Sequence, residues 1–240
     1  MKGIILAGGY GTRLKDCTKV TNKHLLAVYD KPMIYYPIET LVKSGIEEIL
    51  IIAGEESTGD FLKLLGTGKK MNCDFTYKVQ EGAGGIAAAL NLAKNFVRKE
   101  PIAVILGDNY YEDLFQEDIK SFQKGAKVFL KEVKNPQRFG VAVIENNKLI
   151  KIIEKPKDPP SNLVTTGLYL YDYEVFDIIK TLKPSNRGEL EITDVNNSYL
   201  KKQELDFRKL QGFWSDMGTP SSLLKTANYI KEKEENVKNY

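Results

Sequence analysis

Residues 1–14 read MKGIILAGGYGTRL, an apolar run followed by a cluster of glycines and one arginine. The apolar run within residues 2–7 predicts a buried strand near the centre of a sheet. Three glycines within four residues indicate a backbone that comes very close to another group, and the N–H groups of such a turn bind anions. With Arg13 directly behind them, one interpretation is a phosphate-binding loop. The other is a tight strand-to-helix turn with a solvated arginine.

Two common phosphate-binding motifs do not fit this loop. A dinucleotide-binding motif counted from Gly9 requires a third glycine at the position of Leu14. The P-loop pattern G-x-x-x-x-G-K-[ST] occurs nowhere in the chain. The loop is therefore glycine-rich and cationic without belonging to either class.

Strand-like and helix-like segments alternate outward from this loop. Further strands are predicted at 46–53, 75–79 and 102–106, and helices at 33–42, 59–65 and 84–97. Pro37 favours a kink or a late start in the first of these helices. The alternation predicts an α/β fold in which a mostly parallel central sheet has helices on both faces.

The pattern changes after about residue 125, where strand-like segments follow one another. Strands are predicted at 126–133, 141–145, 149–153 and 164–171, and helices at 174–181, 189–201 and 221–233. We expect a smaller antiparallel part that forms a lid over one edge of the first sheet. The chain ends in the mixed-charge stretch KEKEENVKNY, whose side chains we expect to be solvated.

Composition excludes several classes of protein. The net charge of +3 is the difference between 35 basic and 32 acidic residues, which gives no support to a nucleic-acid partner. No apolar stretch approaches the length of a membrane span, so no membrane partner is expected. Cys17 and Cys73 lie far apart and predict a reduced, cytoplasmic protein. His24 is the only histidine, which argues against histidine-dependent triads and zinc sites; we expect it to pack in the core.

Short polar motifs stand at the ends of predicted elements, where open α/β sheets bind their ligands. Besides the opening loop, these motifs contain Lys23, Gln80, Asp108, Glu154 with Lys155, and Asp216. Asp216 is expected in a turn before the last helix. Taken singly, these residues also have structural interpretations: Asp108 as a turn residue, Asp216 at a helix entry and the lysines as solvated side chains.

Taken together, glycine turns, cations and two acids suit phosphoryl or nucleotidyl transfer. That chemistry requires neutralised phosphate charge and two reactants held in line, and it requires no nucleophilic side chain. Asp108 and Asp216 could hold Mg²⁺, which prefers oxygen ligands and bridges to phosphate. Arg13 offers a planar fork for a departing pyrophosphate.

The order of motifs resembles the sugar-1-phosphate nucleotidylyltransferases from residue 2 to about residue 229. The resemblance is carried by GIILAGGYGTRL, NKHLLAVYDKPMIYYPIETL, VQEGAGGIAAAL, LGDN, RFGVA, EKP, TTGLYLYD, RGELEITD and WSDMGT. It implies a Rossmann-like nucleotidyltransferase fold in one domain, residues 1–240. Residues 1–125 would then form the nucleotide-binding part, and residues 126–240 the sugar-binding part with the closing helices.

The resemblance also implies a role for individual residues. The catalytic residues would be Arg13, Lys23, Asp108, Lys155 and Asp216. The nucleotide would be bound by Leu6, Gly8, Gly9, Gly11, Thr12, Arg13, Gln80, Gly85 and Asp108. The sugar phosphate would be bound by Asn109, Gly140, Glu154, Lys155, Thr166 and Arg187. Asp108 and Asp216 would be the Mg²⁺ ligands.

The reaction implied is attack of a glucose 1-phosphate oxygen on the α-phosphorus of dTTP, which yields dTDP-glucose and pyrophosphate. A preference for UTP is a close alternative, because thymine differs from uracil by one methyl group. A non-catalytic nucleotide-sugar sensor on the same scaffold is a third hypothesis. A homo-oligomer, dimer or tetramer, is expected by the same resemblance.

Overall fold

The structure is a computed structural model that describes residues 1–238. The last two residues of the mixed-charge ending, Asn239 and Tyr240, lie outside the described residues, so the expectation for them is untested. No helix of the described residues is long and apolar enough to cross a membrane.

Strands and helices alternate in the first half, as the sequence predicted. The strands are β1 Lys2–Ala7, β2 Ala27–Val28, β3 Lys31–Pro32, β4 Glu48–Gly54, β5 Asp74–Gln80, β6 Ile102–Leu106, β7 Asn109–Tyr111, β8 Ala126–Glu132, β9 Gly140–Glu145, β10 Lys148–Glu154, β11 Leu163–Tyr171, β12 Leu205–Lys209 and β13 Trp214–Asp216. The α-helices are α1 Tyr35–Lys43, α2 Thr58–Leu65, α3 Ile86–Asn91, α4 Lys94–Val97, α5 Gln116–Ser121, α6 Val175–Thr181, α7 Ile192–Lys201 and α8 Pro220–Lys238. Short 3₁₀ segments cover Thr12–Thr18, Lys23–Leu25, Lys69–Met71 and Pro136–Arg138.

One mixed nine-stranded sheet organises the molecule. Its main path runs β10-β9-β11-β6-β1-β4-β5, and β8 pairs with β11 and β12. The pairs β6–β1, β1–β4 and β4–β5 are parallel, whereas β11 pairs antiparallel with β6. The α/β fold with a mostly parallel centre and helices on both faces is therefore confirmed.

The apolar run after Lys2 forms a strand that is buried on both faces. Ile4 and Leu6 pack in a core cluster with helices α3, α6 and α7, whereas Ile5 and Ala7 pack in a second cluster with α1 and α2. Successive side chains of a strand point to opposite faces, so a continuous apolar run fits a strand with helices on both sides.

The prediction of a lid is wrong, because the antiparallel strands do not form a separate layer over the first sheet. Strand β11 continues that sheet directly, pairing antiparallel with β6 from Leu168 opposite Ile105 to Tyr171 opposite Ile102. Extension of the sheet satisfies the edge hydrogen bonds of β6, which a detached lid would leave unpaired.

Two local predictions also differ from the structure. The helix predicted at 84–97 divides into α3 and α4, because the backbone tightens where Leu92 and Ala93 donate to the carbonyls of Ala89 and Leu90. Asp216 lies at the end of β13 rather than in a turn. This strand pairs antiparallel with β7, which sets Asp216 opposite Asn109.

Candidate active site

A cavity of about 720 Å³ opens where β1, β5, β6 and β10 end. All of the residues predicted for the site lie on its wall: Leu6, Gly8, Gly9, Gly11, Thr12, Arg13, Lys23, Gln80, Gly85, Asp108, Asn109, Gly140, Glu154, Lys155, Thr166, Arg187 and Asp216. The topology thus brings together motifs from both ends of the chain, from Leu6 to Asp216, while their individual roles stay predictions.

The glycine loop after β1 folds closely around its neighbours. Gly11 has φ 65°, and a Cβ there would lie only 2.9 Å from Lys23 Cβ. A side chain at this position would therefore be strained by the backbone and blocked by Lys23. The side chain of Gln80 lies against Gly8, at the end of β5. The loop, the lysine and the glutamine consequently share one wall of the cavity.

A second glycine turn joins the two halves of the cavity. Gly85 has φ 89°, and a Cβ there would lie 2.7 Å from the carbonyl oxygen of Leu190. The Leu190 N–H donates to the Gly84 carbonyl at 2.8 Å, and the Ala87 N–H donates back to Leu190 at 3.2 Å. These bonds hold the RGELEITD segment beside the turn that begins α3.

Asp108 is buried beyond the end of β6 and is held from two sides. Lys23 donates to Oδ2 in a buried ion pair, and the Asn109 amide donates to Oδ1 at 2.9 Å. The Asn109 Oδ1 in turn accepts from Trp214 Nε1 at 2.8 Å. Burial alone would raise the pKa of Asp108. The Lys23 charge, together with His24 and the hydrogen bonds from Lys23 and Asn109, outweighs burial and holds the pKa below its ordinary value. Asp108 is therefore an anion at neutral pH.

Asp216 belongs to the same corner but has a different electrostatic environment. Its Oδ1 accepts from the Gly218 N–H at 2.6 Å, and its Oδ2 lies 3.6 Å from both Arg13 Nη2 and Arg138 Nη2. Burial and the charge of Asp108 raise the pKa of Asp216, and the two arginines oppose that rise. The charge of Asp108 thus makes Asp216 harder to ionise, which a further cation between the two carboxylates would relieve.

The two carboxylates could hold a divalent metal ion whose other ligands come from substrate or water. The described residues contain no cluster of three or more potential metal ligands, so an all-protein cage is absent there. Mg²⁺ is usually held by one or two carboxylates together with phosphate oxygens and water. The donor set of Asp108 and Asp216 matches that pattern.

His24 is buried as expected, although its ring also reaches the wall of the cavity. Its Nδ1 lies 2.7 Å from Asn22 Oδ1, and the ring packs against the Cα side of Gly107. Burial and the neighbouring Lys23 charge lower the pKa of His24 to about 3. The imidazole is therefore neutral over the physiological range and serves as a packing and hydrogen-bonding group.

The other end of the cavity is a cluster of charged side chains on β10 and on the segment before α7. Thr193 Oγ1 donates to Glu154 Oε2 at 2.5 Å, and Lys155 Nζ lies 3.3 Å from Glu154 Oε1. Lys155 has φ 42°, a left-handed conformation that is uncommon outside glycine. The backbone thus turns sharply at the residue expected to bind phosphate. Among the described residues, the buried Oγ1 of Thr166 nearby has no hydrogen-bond partner.

Arg187 is fixed to a buried glutamate that the sequence reasoning did not single out. Its Nε and Nη2 donate to Glu191 Oε1 at 3.2 and 2.9 Å, and Nη2 donates to Glu191 Oε2 at 2.8 Å. Ser185 Oγ also donates to Glu191 Oε1 at 2.7 Å. Glu191 therefore orients Arg187 toward the cavity that both residues line.

Arg138 and Trp214 also line the cavity without having been singled out. Arg138 stands in RFGVA, Trp214 in WSDMGT and Glu191 in RGELEITD, so these motifs contained the missed residues. The contacts of Arg138 with Asp216 and of Trp214 with Asn109 join segments distant in sequence, and no local pattern indicates them, whereas Glu191 lies only four residues after Arg187 in the same motif.

A model of the nucleotidyl transferase family matches residues 2–233. The chain belongs to the nucleotidyl transferase family. Among relatives in this family, a glucose-1-phosphate thymidylyltransferase from Neisseria meningitidis is 44% identical over 238 residues, which cover 96% of this chain and 83% of the relative. One from Xanthomonas campestris is 45% identical over 239 residues, covering 96% of this chain and 80% of the relative.

Solved structures of nucleotidyl transferases have the same fold. A proposed glucose-1-phosphate thymidylyltransferase from Bacillus anthracis, crystallised with sucrose, superposes with a TM-score of 0.91 at 51% identity, covering 95% of this chain and 94% of that chain. A UDP-glucose pyrophosphorylase complexed with UDP-glucose gives a TM-score of 0.85 at 26% identity, covering 97% of this chain and 98% of that chain.

Proposed function

We propose that this protein transfers a deoxythymidylyl group from dTTP to glucose 1-phosphate, yielding dTDP-glucose and pyrophosphate, with Mg²⁺ as cofactor. Relatives that share 44–45% of their residues over nearly the whole chain have this activity in their names. The observation that carries the proposal is that a glycine loop, two carboxylates and a second cationic cluster line one shared cavity. Two anionic substrates require such a pair of cationic ends.

The reaction joins the two substrates without a covalent intermediate on the protein. A phosphate oxygen of glucose 1-phosphate forms a bond to the α-phosphorus of dTTP, while the bond from that phosphorus to the α,β-bridging oxygen breaks. Pyrophosphate leaves with the bridging oxygen and its electron pair. The protein contributes positioning and charge neutralisation, which dominate catalysis of this reaction type.

The nucleotide end of the cavity comprises the glycine loop, Arg13 and Gln80. Arg13 and Lys23 bind the triphosphate, and Arg13 stabilises the charge that develops on the departing pyrophosphate. Gln80 presents an amide to the pyrimidine edge, where it can match both a donor and an acceptor. Gly85 supplies the close backbone approach beside it. Asp108 and Asp216 would hold Mg²⁺, which neutralises phosphate oxygens when it is bound.

The sugar end would be formed by the elements that follow residue 125, which would make residues 1–125 the nucleotide-binding part and residues 126–240 the sugar-binding part. Lys155 and Arg187 bind the phosphate of the sugar 1-phosphate. Glu154, Gly140 and Thr166 contact the sugar hydroxyl groups, with Asn109 close by on β7. Because Arg187 is already fixed by Glu191, little ordering of this side chain is required on binding.

The proposal is tested by initial rates of pyrophosphate release with dTTP, UTP, CTP and ATP, each against a panel of hexose 1-phosphates, with MgCl₂ or with EDTA. We expect the highest kcat/KM for dTTP with glucose 1-phosphate, and no turnover with EDTA. UTP should be used less well by a factor of roughly 10 to 200, the range that one methyl group supplies in a pocket. An Asp216→Asn variant purified in the same way controls for contaminating transferases. Equal or better use of UTP would replace the thymidylyl assignment by a uridylyl one.

A further inference from the structure

Arg138 is a cation of the cavity wall that the proposed function leaves without a role. It ends the 3₁₀ segment Pro136–Arg138, immediately before β9. Its guanidinium lies 5.6 Å from the ring of Phe139, and that ring packs edge-on against Trp214 at 5.5 Å. The Phe139 carbonyl accepts from the Lys155 N–H at 3.0 Å. Arg138 is thus fixed between the Lys155 end of the cavity and the Asp216 corner.

The terminal Nη2 of Arg138 is buried and has no hydrogen-bond partner among the described residues. Its nearest acidic neighbour, Asp216 Oδ2, is 3.6 Å away, which is too far for a hydrogen bond. A buried guanidinium nitrogen without an acceptor is costly, and native structures rarely contain one without a reason. Arg138 lines the substrate cavity and 38% of its side-chain surface is exposed, so an anionic ligand there can reach the accessible part of the side chain rather than the buried Nη2.

Arg13 approaches the same oxygen of Asp216 from the glycine loop, also at 3.6 Å. The two guanidinium groups therefore end beside one carboxylate oxygen, although one comes from the nucleotide end and the other from the sugar end of the chain. A planar guanidinium binds phosphate oxygens through paired N–H groups. The guanidinium groups of Arg13 and Arg138 both lie beside Asp216. This is the part of the cavity where the phosphates of the two substrates would meet.

We propose that Arg138 binds a phosphate oxygen at the junction of the two substrates and forms, with Arg13, a pair of arginines around the reacting phosphates. The inference rests on the proposed function, because the ligand is taken to be a substrate phosphate. That phosphate belongs either to the nucleotide, as the pyrophosphate portion, or to the sugar 1-phosphate. Arg138 also balances the charge of Asp216 before the substrates bind.

The test uses Trp214, the only tryptophan of the chain, as a fluorescent reporter next to Phe139. Inorganic pyrophosphate and glucose 1-phosphate are titrated separately into the wild-type protein, Arg138→Gln and Arg138→Lys, and calorimetry repeats each titration without the fluorophore. Arg98→Gln is the matched control, because Arg98 is exposed, is absent from the cavity wall, and loses the same charge. Thermal unfolding midpoints are measured for all four proteins.

We expect Arg138→Gln to weaken the binding of one of the two ligands by roughly ten- to hundred-fold, the effect of losing one hydrogen bond to a charged group. The weakened ligand identifies which substrate phosphate Arg138 binds, and the KM of that substrate should rise in parallel. Arg138→Lys should recover part of the loss, and Arg98→Gln should bind like the wild type.

Unchanged binding of both ligands by Arg138→Gln, with only a lower unfolding midpoint, would show a structural role and overturn the inference. If Arg138→Gln does not fold, Arg138→Lys decides the question in the same way, since unchanged binding by that variant contradicts a requirement for the fork. A wild-type protein that binds neither ligand would overturn the proposed function itself, which distinguishes the two failures.

Discussion

At the scale of single residues, the charges of Asp108 and Asp216 are neutralised by neighbouring cationic side chains. These are the same side chains that would bind the phosphates of the substrates. Lys23 is paired with Asp108, and Arg13 and Arg138 flank Asp216. A phosphate chain with its metal would bring both new anions and a new cation to this corner. The internal ion pairs therefore keep the buried charges compensated when no substrate is bound, which limits the cost of burying them.

Asp108→Asn should reduce turnover by at least roughly a hundred-fold, because an amide is a poor substitute for a carboxylate in charge stabilisation. It should also lower the free energy of unfolding, since Lys23 would remain buried without its counter-charge. The double variant Lys23→Gln/Asp108→Asn separates the two effects, because it removes the pair together. Urea unfolding should show recovered stability in the double variant while pyrophosphate release stays low. Near-normal turnover by Asp108→Asn would contradict the metal assignment.

At the scale of elements, the segment before α7 connects the nucleotide and sugar ends of the cavity. The hydrogen bonds of Leu190 with Gly84 and Ala87 hold it against the turn before α3, and the Glu191 carboxylate fixes one edge of the Arg187 guanidinium. Arg187 uses Nε and Nη2 for Glu191, so its Nη1 is the end available to a phosphate. These contacts therefore fix the position of Arg187, although it lies in a loop and not in a helix.

Glu191→Gln should raise the KM for glucose 1-phosphate roughly tenfold with a small change in the KM for dTTP, because an amide cannot hold both edges of the fork as the carboxylate does. Initial-rate measurements with each substrate varied in turn give the KM for glucose 1-phosphate and the KM for dTTP separately. Glu189→Gln is the matched control: Glu189 is also within 3.2 Å of Arg187 but is far more exposed, so its effect should be much smaller. Equal effects of the two substitutions would contradict a positioning role for Glu191.

The sequence predicted the longer elements and missed the shortest ones for a physical reason. The apolar run of β1 and the glycine loop behind it have strong local signatures. Strands β7 and β13 have only three residues each, too few for periodicity, and they are defined by pairing with each other across the chain. Asp216 was consequently expected in a turn. The contact of Arg138 with Asp216 likewise depends on long-range packing, which single-sequence patterns do not contain.

At the scale of the whole molecule, both ends of the cavity belong to one sheet. Strand β6 has β1 as its parallel neighbour and β11 as its antiparallel neighbour, so Asp108, which follows β6, lies where the two halves join. A ligand site at such a change in strand order is typical of open α/β sheets. The proposed substrates would therefore be oriented by a continuous sheet with a packed core on each face.

The last helix is tied to the small two-stranded sheet of β7 and β13 by Glu112, which follows β7. Its carboxylate accepts from the Phe213 N–H and from Lys233 Nζ on α8, both at 2.9 Å. The Phe213 hydrogen bond, with Tyr229 and Lys233, lowers the pKa of Glu112 from 4.5 to about 2. Because the pKa of the folded state is the lower one, the stabilisation is present above pH 4.5 and is lost as the pH falls toward 2.

Glu112→Gln should therefore lower the free energy of unfolding at pH 7 by about 1 kcal/mol, a value discounted for solvent screening of this partly exposed group. Urea unfolding of both proteins between pH 7 and pH 2.5 measures the effect. The difference should shrink below pH 4.5, where the wild-type carboxylate begins to be protonated in the unfolded state. A difference that stays constant down to pH 2.5 would contradict the lowered pKa.

Direct transfer between two bound substrates is the central claim, and isotope exchange tests it most directly. Labelled pyrophosphate is incubated with the enzyme, dTTP and MgCl₂, with or without glucose 1-phosphate, and its appearance in dTTP is followed. The only histidine is buried and hydrogen-bonded, and no cysteine or serine is among the described residues of the cavity wall. The lysines Lys23 and Lys155 of that wall are paired with Asp108 and Glu154, which keeps their amines protonated rather than nucleophilic. A nucleotidyl-protein intermediate is therefore not expected, and label should enter dTTP only when glucose 1-phosphate is present. Exchange at a comparable rate without the sugar phosphate would contradict direct transfer.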